Sequence, residues 1–236
     1  LFSFGIMKNI SAFFGGALAT SNKDLRDFAD TKIKSYKNFP KLLYLKQILL
    51  YVMLKILLSK YVYNYFFFYV IKFAHLKDIK FILQLIYPSF KFKKKDVIPN
   101  SYYSKISNMS IKIIDQILFD KKNLEHSINR KNNNMTYYLN LKNNKNIIVF
   151  PLNDIDFQNF LDFPILVKQK KELIEYLFNN KIEIRSHFYS NCEKILDEKN
   201  CLNSEYFEKN IICLPSHPGI SNKKIQEICK LINNFF

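Results

Sequence analysis

The stretch Ile211-Ile212-Cys213-Leu214-Pro215-Ser216-His217-Pro218-Gly219-Ile220-Ser221 decides the fold of the C-terminal part of the chain. Its first four residues are apolar and end at a proline, which predicts a buried strand, and Pro218-Gly219 predicts a turn. Ser221 is then placed to cap a helix. The apolar residues of that helix fall on one face and are Ile225, Ile228, Cys229 and Ile232.

The same alternation of strands and helices continues upstream. We expect strands near 147–150, 163–167 and 182–186, and helices near 169–179 and 221–234. A longer helix should begin after Ser107 as its N-cap, and Asn132-Asn133-Asn134 should weaken its end. The predicted class is α/β, with a small layered domain at the C-terminal end.

The opposite end of the chain carries a lone amine among apolar neighbours. Lys8 follows Ser3-Phe4-Gly5-Ile6-Met7 and precedes Gly15-Gly16-Ala17-Leu18-Ala19-Thr20. Burial disfavours the ammonium form, so that a free amine could condense with an aldehyde. The same sequence is also typical of a short signal peptide over residues 7–19, with small residues at its cleavage site. This stretch alone leaves both interpretations open.

Taken together, these segments resemble the DegT/DnrJ/StrS family of pyridoxal-phosphate sugar aminotransferases, within the fold-type I aminotransferases. That family has a Ser-Phe-x-x-x-Lys-Asn segment with the Schiff-base lysine, a Gly-Gly-Ala strand, and a Leu-Pro-x-His-Pro-Gly turn before the last helix. All three occur here in that order. Lys105-Ile106-Ser107-Asn108 stands where the family usually reads Arg-Met-Ser-Asp. The resemblance covers about residues 1–35 and 97–236.

The resemblance implies a set of site residues. Lys8 would hold pyridoxal 5'-phosphate and move a proton during transamination. Ser3 would hydrogen-bond the cofactor phosphate, and Asn9 would complete the cofactor-binding set. Arg185 and His187, at the end of the predicted strand 182–188, would contact the diphosphate of a nucleotide-sugar substrate. No metal site is implied.

The resemblance also implies an activity and partners. The enzyme would transfer an amino group, usually from glutamate, to a nucleotide-linked keto-sugar for polysaccharide or glycan synthesis, although some relatives catalyse dehydration instead. Family members commonly form homodimers. The implied fold is the C-terminal portion of a fold-type I enzyme. It comprises the end of the large domain (1–38), a hydrophobic helical insertion (39–96), a connecting long helix (97–145) and the small α/β domain (146–236).

Only seven residues precede Lys8, and none is an aspartate. In fold-type I enzymes the aspartate that pairs with the pyridine nitrogen and the aromatic residue that stacks on the ring both precede the lysine. We therefore expect the chain to be an N-terminally truncated fragment, inactive alone.

Residues 39–86 are strongly apolar but are interrupted by Lys46, Lys55, Lys60 and Lys72. No uncharged stretch reaches the roughly 18 residues of a spanning helix, and the lysines define no single polar face. Two interpretations stay open. The helices of 41–86 lie on a membrane surface, or they form a subdomain packed on the enzyme or its dimer partner. In the second function class, a non-enzymatic membrane-associated protein, residues 1–20 are a targeting segment.

Composition narrows the function classes. The net charge is +16, but Lys, Asn, Ile, Tyr and Phe are enriched together, as AT-rich codons produce, and the lysines match no nucleic-acid-binding module. We therefore expect no nucleic-acid partner. The four cysteines lack metal-ligand spacing, and two lie in apolar segments, which favours a reducing compartment. We expect a cytoplasmic protein. The alternative is a protein that associates with a membrane through residues 41–86.

Overall fold

The computed structural model describes residues 1–5, 8, 10–86, 102–151, 161–185, 191 and 202–236, with the backbone alone described for 84–86. The chain divides into two compact units. Unit 1 comprises Leu1–Tyr63 and Lys95–Asn123, and unit 2 comprises Asn64–Lys94 and Leu124–Phe236. The predicted domain boundaries after residues 38, 96 and 145 stay predictions.

In chain order, the helices and strands of the described residues are β1 (Phe2–Ser3), β2 (Gly16–Ala17), α1 (Lys23–Ser35), β3 (Lys37–Asn38), α2 (Lys41–Leu57), α3 (Lys60–Val62), a π-helical turn (Tyr63–Phe67), α4 (Phe68–Leu76), α5 (Lys80–Ile86), β4 (Ser104–Lys105), α6 (Asn108–Phe119), α7 (Lys121–Leu141), β5 (Ile147–Val149), β6 (Asp162–Val167), α8 (Lys170–Asn179), α9 (Leu202–Asn210), β7 (Ile211–Pro215) and α10 (Asn222–Phe235).

Unit 1 is built around two short strand pairs. β1 pairs antiparallel with β2, and β3 pairs in parallel with β4, although β3 and β4 are far apart in sequence. Phe4, Ala12 and Ile114 form a small buried cluster beside these strands. Ser107 caps α6 by accepting a hydrogen bond from the N–H of Ser110 at 3.0 Å, which confirms the predicted helix start.

Unit 2 contains an antiparallel sheet in the order β5-β6-β7. Four consecutive residues of β7, Ile211 to Leu214, are buried, so both faces of that strand are covered. α8 and α10 contact each other, and the residues of their apolar faces are buried as well. Ser221 caps α10 through the N–H of Lys224 at 3.2 Å, as predicted.

The structure differs from two local predictions. The Asn132-Asn133-Asn134 run does not weaken α7, which continues to Leu141. The reason is burial with partners, because the Asn133 amide donates to the carbonyl of His217 at 3.1 Å and Asn134 accepts from the Ser216 hydroxyl. Of the predicted strand 182–186, the described part makes a single bridge, between Arg185 and Cys213.

The apolar segment 39–86 has two structural environments. α2 contains no buried residue. In contrast, α4 packs within unit 2, where Phe68 and His75 lie 6.0 and 5.2 Å from the ring of Phe178 in α8. Lys72 also donates to the side chain of Asn179 at 2.7 Å. The packed-subdomain interpretation therefore fits α4.

Within the described residues, no single helix is long and apolar enough to cross a bilayer. The consecutive helical segments Lys41–Leu57 and Lys60–Leu76 reach that length and composition only as a bent pair.

Leu177 tests the core of unit 2. It is fully buried in α8, whereas Leu202 in α9 is 76% exposed. Replacing Leu177 with Ala removes buried methyl groups and leaves a cavity, so the free energy of unfolding should fall by about 2–5 kcal/mol. The matched Leu202→Ala change should stay within about 0.5 kcal/mol. Chemical denaturation measures both, and equal losses would contradict the assigned packing.

Candidate functional site

A cavity of about 480 Å³ lies within unit 1. It brings together three segments that are distant in sequence: the N-terminal strand pair, the end of α1, and β4. Its wall is formed by Ser3, Gly5, Phe14, Gly15, Gly16, Ile33, Tyr36, Tyr102, Ser104, Lys105 and Ile106. Ser3 and the Gly15-Gly16 pair therefore do meet the Lys105-Ile106 motif around one space.

The Gly15-Gly16 pair is required by its surroundings. Gly15 has φ +112°, a conformation that side-chain-bearing residues rarely adopt, and a Cβ there would lie 2.6 Å from the side chain of Ile106. A Cβ on Gly16 would lie 2.7 Å from the carbonyl oxygen of Phe2. Only glycine allows the backbone at positions 15 and 16 to approach Ile106 and Phe2 this closely.

Hydrogen bonds fix the loop between β1 and β2. The N–H of Phe4 donates to the carbonyl of Gly15, and the N–H of Ala12 donates to that of Phe4, both at 2.9 Å. The buried hydroxyl of Ser110 donates to the carbonyl of Ala12 at 2.8 Å. This last bond ties the loop to the first turn of α6.

The polar groups of the cavity suit an anion. Lys105 contributes an ammonium group, and Ser3 and Ser104 contribute hydroxyls that can donate hydrogen bonds. Among the residues that the structure describes, no aspartate or glutamate lines the cavity. A phosphate or carboxylate would therefore meet one positive charge and several donors there.

Lys8 does not line this cavity. Its side chain is exposed, and its N–H donates to the carbonyl of Gly5 at 3.2 Å in a turn. The burial that the sequence analysis expected for this amine is therefore wrong for the structure, because the turn directs residue 8 to the surface. Asn9 lies outside the described residues.

Arg185 lies in unit 2 and forms an ion pair. Its Nη1 is 3.0 Å from Oδ2 of Asp162, and both side chains are largely buried. A second guanidinium, that of Arg130 in α7, is buried nearby; burial lowers its pKa and the charge of Asp162 acts against that shift. His187, the other expected substrate contact, lies outside the described residues.

The same charges act on the pKa of His217. Desolvation of its ring lowers its pKa, and the guanidinium groups of Arg185 and Arg130 lower it further. The carboxylates of Asp162 and Glu183 act in the opposite direction. The neutral imidazole is thus favoured beside this cluster.

Sequence reasoning did not assign Ser104, Lys105, Arg130 or Asp162 to a site. Lys105 was visible as part of the Lys-Ile-Ser-Asn motif, but its meeting with Ser3 depends on the parallel pairing of β3 and β4. Asp162 opens β6, and its partner Arg185 follows only after an intervening helix. No local pattern indicates that pairing.

A family model described as the DegT/DnrJ/EryC1/StrS aminotransferase family matches residues 91–233, more than half of the chain. The match includes Lys105, Asp162 and Arg185 and excludes Ser3 and Lys8. No curated protein sequence matches the chain.

Solved structures also match. DesV from S. venezuelae, in complex with a ketimine intermediate, aligns with TM-score 0.50 and 11% identity over 65% of this chain and 44% of its own. Helicobacter pylori PseC, an aminotransferase involved in the biosynthesis of pseudoaminic acid, aligns with TM-score 0.45 and 22% identity over 61% and 42%.

A third match is the E. coli GDP-4-keto-6-deoxy-D-mannose-3-dehydratase with bound hydrated PLP, with TM-score 0.45 and 21% identity over 59% of this chain and 40% of its own. The chain thus spans 40% to 44% of the length of these three structures. The likeness to DesV supports the fold-type I assignment.

Gly15→Ala tests the close approach that shapes the cavity. The new methyl group meets Ile106 in a backbone conformation unfavourable to alanine, so the variant should lose about 1–3 kcal/mol of unfolding free energy. Gly5 also lines the cavity, but a Cβ there would meet nothing within 4 Å, so Gly5→Ala should change stability by less than about 1 kcal/mol. Thermal and chemical unfolding compare the two, and an unaffected Gly15→Ala would refute the constraint.

The charges around His217 predict that two substitutions shift its pKa in opposite directions. Arg185→Gln removes a cation beside His217, so the pKa of His217 should rise towards its ordinary value. Asp162→Asn removes an anion, so the same pKa should fall. The imidazole proton signals of His217, followed by NMR against pH, give both values. Shifts in the same direction would contradict the cluster.

Proposed function

The chain belongs to the DegT/DnrJ/EryC1/StrS aminotransferase family, and from this premise we propose that the protein transfers an amino group to a nucleotide-linked keto-sugar with pyridoxal 5'-phosphate as cofactor. The observation that carries the proposal is the cavity of unit 1. Ser3, which the family resemblance assigns to the cofactor phosphate, lines it together with Lys105, whose motif is part of the same resemblance.

The residues of the cavity fit the phosphate end of the cofactor. Ser3 and Ser104 can donate hydrogen bonds from their hydroxyls, and Lys105 supplies a positive charge. None of the described residues that line the cavity carries a carboxylate that would repel the phosphate. Ser3, Ser104 and Lys105 would therefore hold the phosphate.

Lys8 is the candidate for the reacting amine. Its neighbour in the turn, Gly5, lines the cavity, so the start of the turn is already at the site. For catalysis the Nζ atom of Lys8 must swing from the surface towards the cavity. There it would hold the cofactor and later carry the proton that moves between donor, cofactor and substrate.

When bound, pyridoxal phosphate supplies an aldehyde and an electron-accepting ring that stabilises negative charge on the substrate carbon. The chain contributes positioning and proton transfer. Arg185, held in orientation by Asp162, is the proposed contact for a substrate phosphate, with His187 beside it in sequence. Asn9 remains a proposed cofactor contact.

The proposed partners follow from the same family. Glutamate is the amino donor, the nucleotide-sugar is the acceptor, and two copies form a homodimer in the cytoplasm. A second candidate function, that of a non-enzymatic membrane-associated protein, is favoured by the exposed apolar surface of α2. Membrane contact and catalysis are compatible in one molecule.

Substitution of Lys8 tests the enzymatic proposal. In the protein that carries this chain, borohydride reduction after addition of pyridoxal phosphate should attach the cofactor to Lys8, and Lys8→Ala should remove that adduct because it removes the amine that the proposal assigns to the cofactor. Amino transfer from glutamate to the keto-sugar should fall by at least about 100-fold, since general acid-base catalysis contributes on that order or more. Peptide mass spectrometry locates the adduct.

Lys23→Ala is the control, because Lys23 is an exposed lysine of the same unit, at the start of α1. That variant should keep both the adduct and the activity. A stoichiometric adduct on another lysine, with Lys8→Ala fully active, would refute the role of Lys8.

A further inference from the structure

α2 is apolar on two separate faces. Its inner face carries Tyr44 and Tyr51, whose rings meet that of Phe13 edge-on at 5.8 and 5.3 Å. Its outer face is exposed to solvent. The exposed outer residues, each between 48% and 78% accessible, are Leu42, Leu45, Leu49, Val52 and Ile56.

These five residues form a continuous stripe, termed here the outer stripe. Their spacing alternates between three and four residues, which aligns them along one side of a helix. At 3.6 residues per turn, Tyr44 and Tyr51 lie about 120° around the helix from the centre of this stripe. The sequence could not separate the two faces, because a helix that is apolar on both sides has no clean polar face.

Lysines flank the outer stripe. At 3.6 residues per turn, Lys41 and Lys55 lie on one side of it and Lys46 on the other, and all three are exposed. Lys55 also lies over the ring of Tyr51 at 5.7 Å. An apolar stripe bordered by lysines is the pattern of a helix that lies in the interface of a bilayer, with its ammonium groups reaching the head groups.

The positive charge around the outer stripe favours a negatively charged partner. Residues 31–77 contain nine lysines and neither aspartate nor glutamate. Three-four spacing also suits pairing of two helices, but in a pair of copies Lys46 and Lys55 would border the seam with no acidic residue of this segment to oppose them. An anionic surface complements the segment, and a second copy of it does not.

Unit 2 carries a comparable surface of its own. Tyr65, Phe66, Tyr69 and Phe73 are at least half exposed, whereas Phe68 and Ile71 on the same helical segment are buried. Tyrosine is enriched where apolar and polar phases meet, because its ring is apolar and its hydroxyl is polar.

We propose that the outer stripe of α2 lies on the surface of an anionic lipid bilayer, with Lys41, Lys46 and Lys55 at the lipid phosphates. The stripe enters the boundary between head groups and acyl chains, and the inner face stays packed on unit 1. This contact is independent of the proposed enzymatic activity. It would hold the protein at the membrane while the cavity of unit 1 remains a separate site.

Vesicle co-sedimentation tests the proposal. The full chain should pellet with phosphatidylcholine vesicles that contain phosphatidylglycerol, and much less with phosphatidylcholine alone. Leu45→Glu with Leu49→Glu should abolish pelleting. Replacing Lys41, Lys46 and Lys55 with Gln should weaken binding to the anionic vesicles by about fivefold per lysine, because each contributes about 1 kcal/mol near such a surface.

The double variant Phe119→Glu and Leu202→Glu is the matched control. It adds the same two charges at exposed apolar positions outside the stripe, and it should bind like the unsubstituted chain. Far-UV circular dichroism checks that each variant keeps its helices.

Three results would overturn the proposal. The first is equal pelleting of the stripe variant and the control. The second is binding that ignores the phosphatidylglycerol content. The third is a lipid-free dimer that the stripe variant converts to monomer in light scattering, without vesicle binding by the unsubstituted chain, which would assign the stripe to a second copy.

Discussion

The hydrogen bond from the Ser110 hydroxyl to the carbonyl of Ala12 joins two parts of the chain that lie 98 residues apart, and the candidate cofactor cavity depends on it. It closes the loop after β1 onto α6. The same contact region contains Gly15 and Ile106, whose close approach excludes any side chain at position 15. These constraints hold the loop and Ile106 beside the wall that Ser3 and Lys105 share.

The two units differ in the surroundings of their candidate cationic side chains. In unit 1, Lys105 lines a cavity to which the described residues contribute no carboxylate, an arrangement that suits an anion. In unit 2, Arg185 is paired internally with Asp162 at 3.0 Å. A paired arginine keeps a fixed orientation, whereas Lys105 is placed to meet an anion that enters the cavity. This difference makes unit 1 the better candidate for binding an anionic cofactor from the described residues.

Local patterns in the sequence predicted the local structure well. Ser107 and Ser221 cap the helices expected of them, and the apolar run 211–214 is a buried strand. The misses concern relations between distant residues. The amides of Asn133 and Asn134 support α7 only because Ser216 and the His217 carbonyl come beside them. Likewise, the exposed position of Lys8 and the two apolar faces of α2 depend on tertiary packing, which no window of sequence contains.

In the function proposed above, the cavity of unit 1 binds the phosphate end of the cofactor. The most direct measurement compares pyridoxal phosphate with pyridoxal, which lacks the phosphate, by amide chemical shifts of the labelled protein. The account predicts that pyridoxal phosphate shifts the signals of Ser3, Gly15, Gly16 and Lys105, and that Lys105→Gln weakens this response. Equal responses to both compounds, or shifts confined to residues outside the cavity, would contradict it.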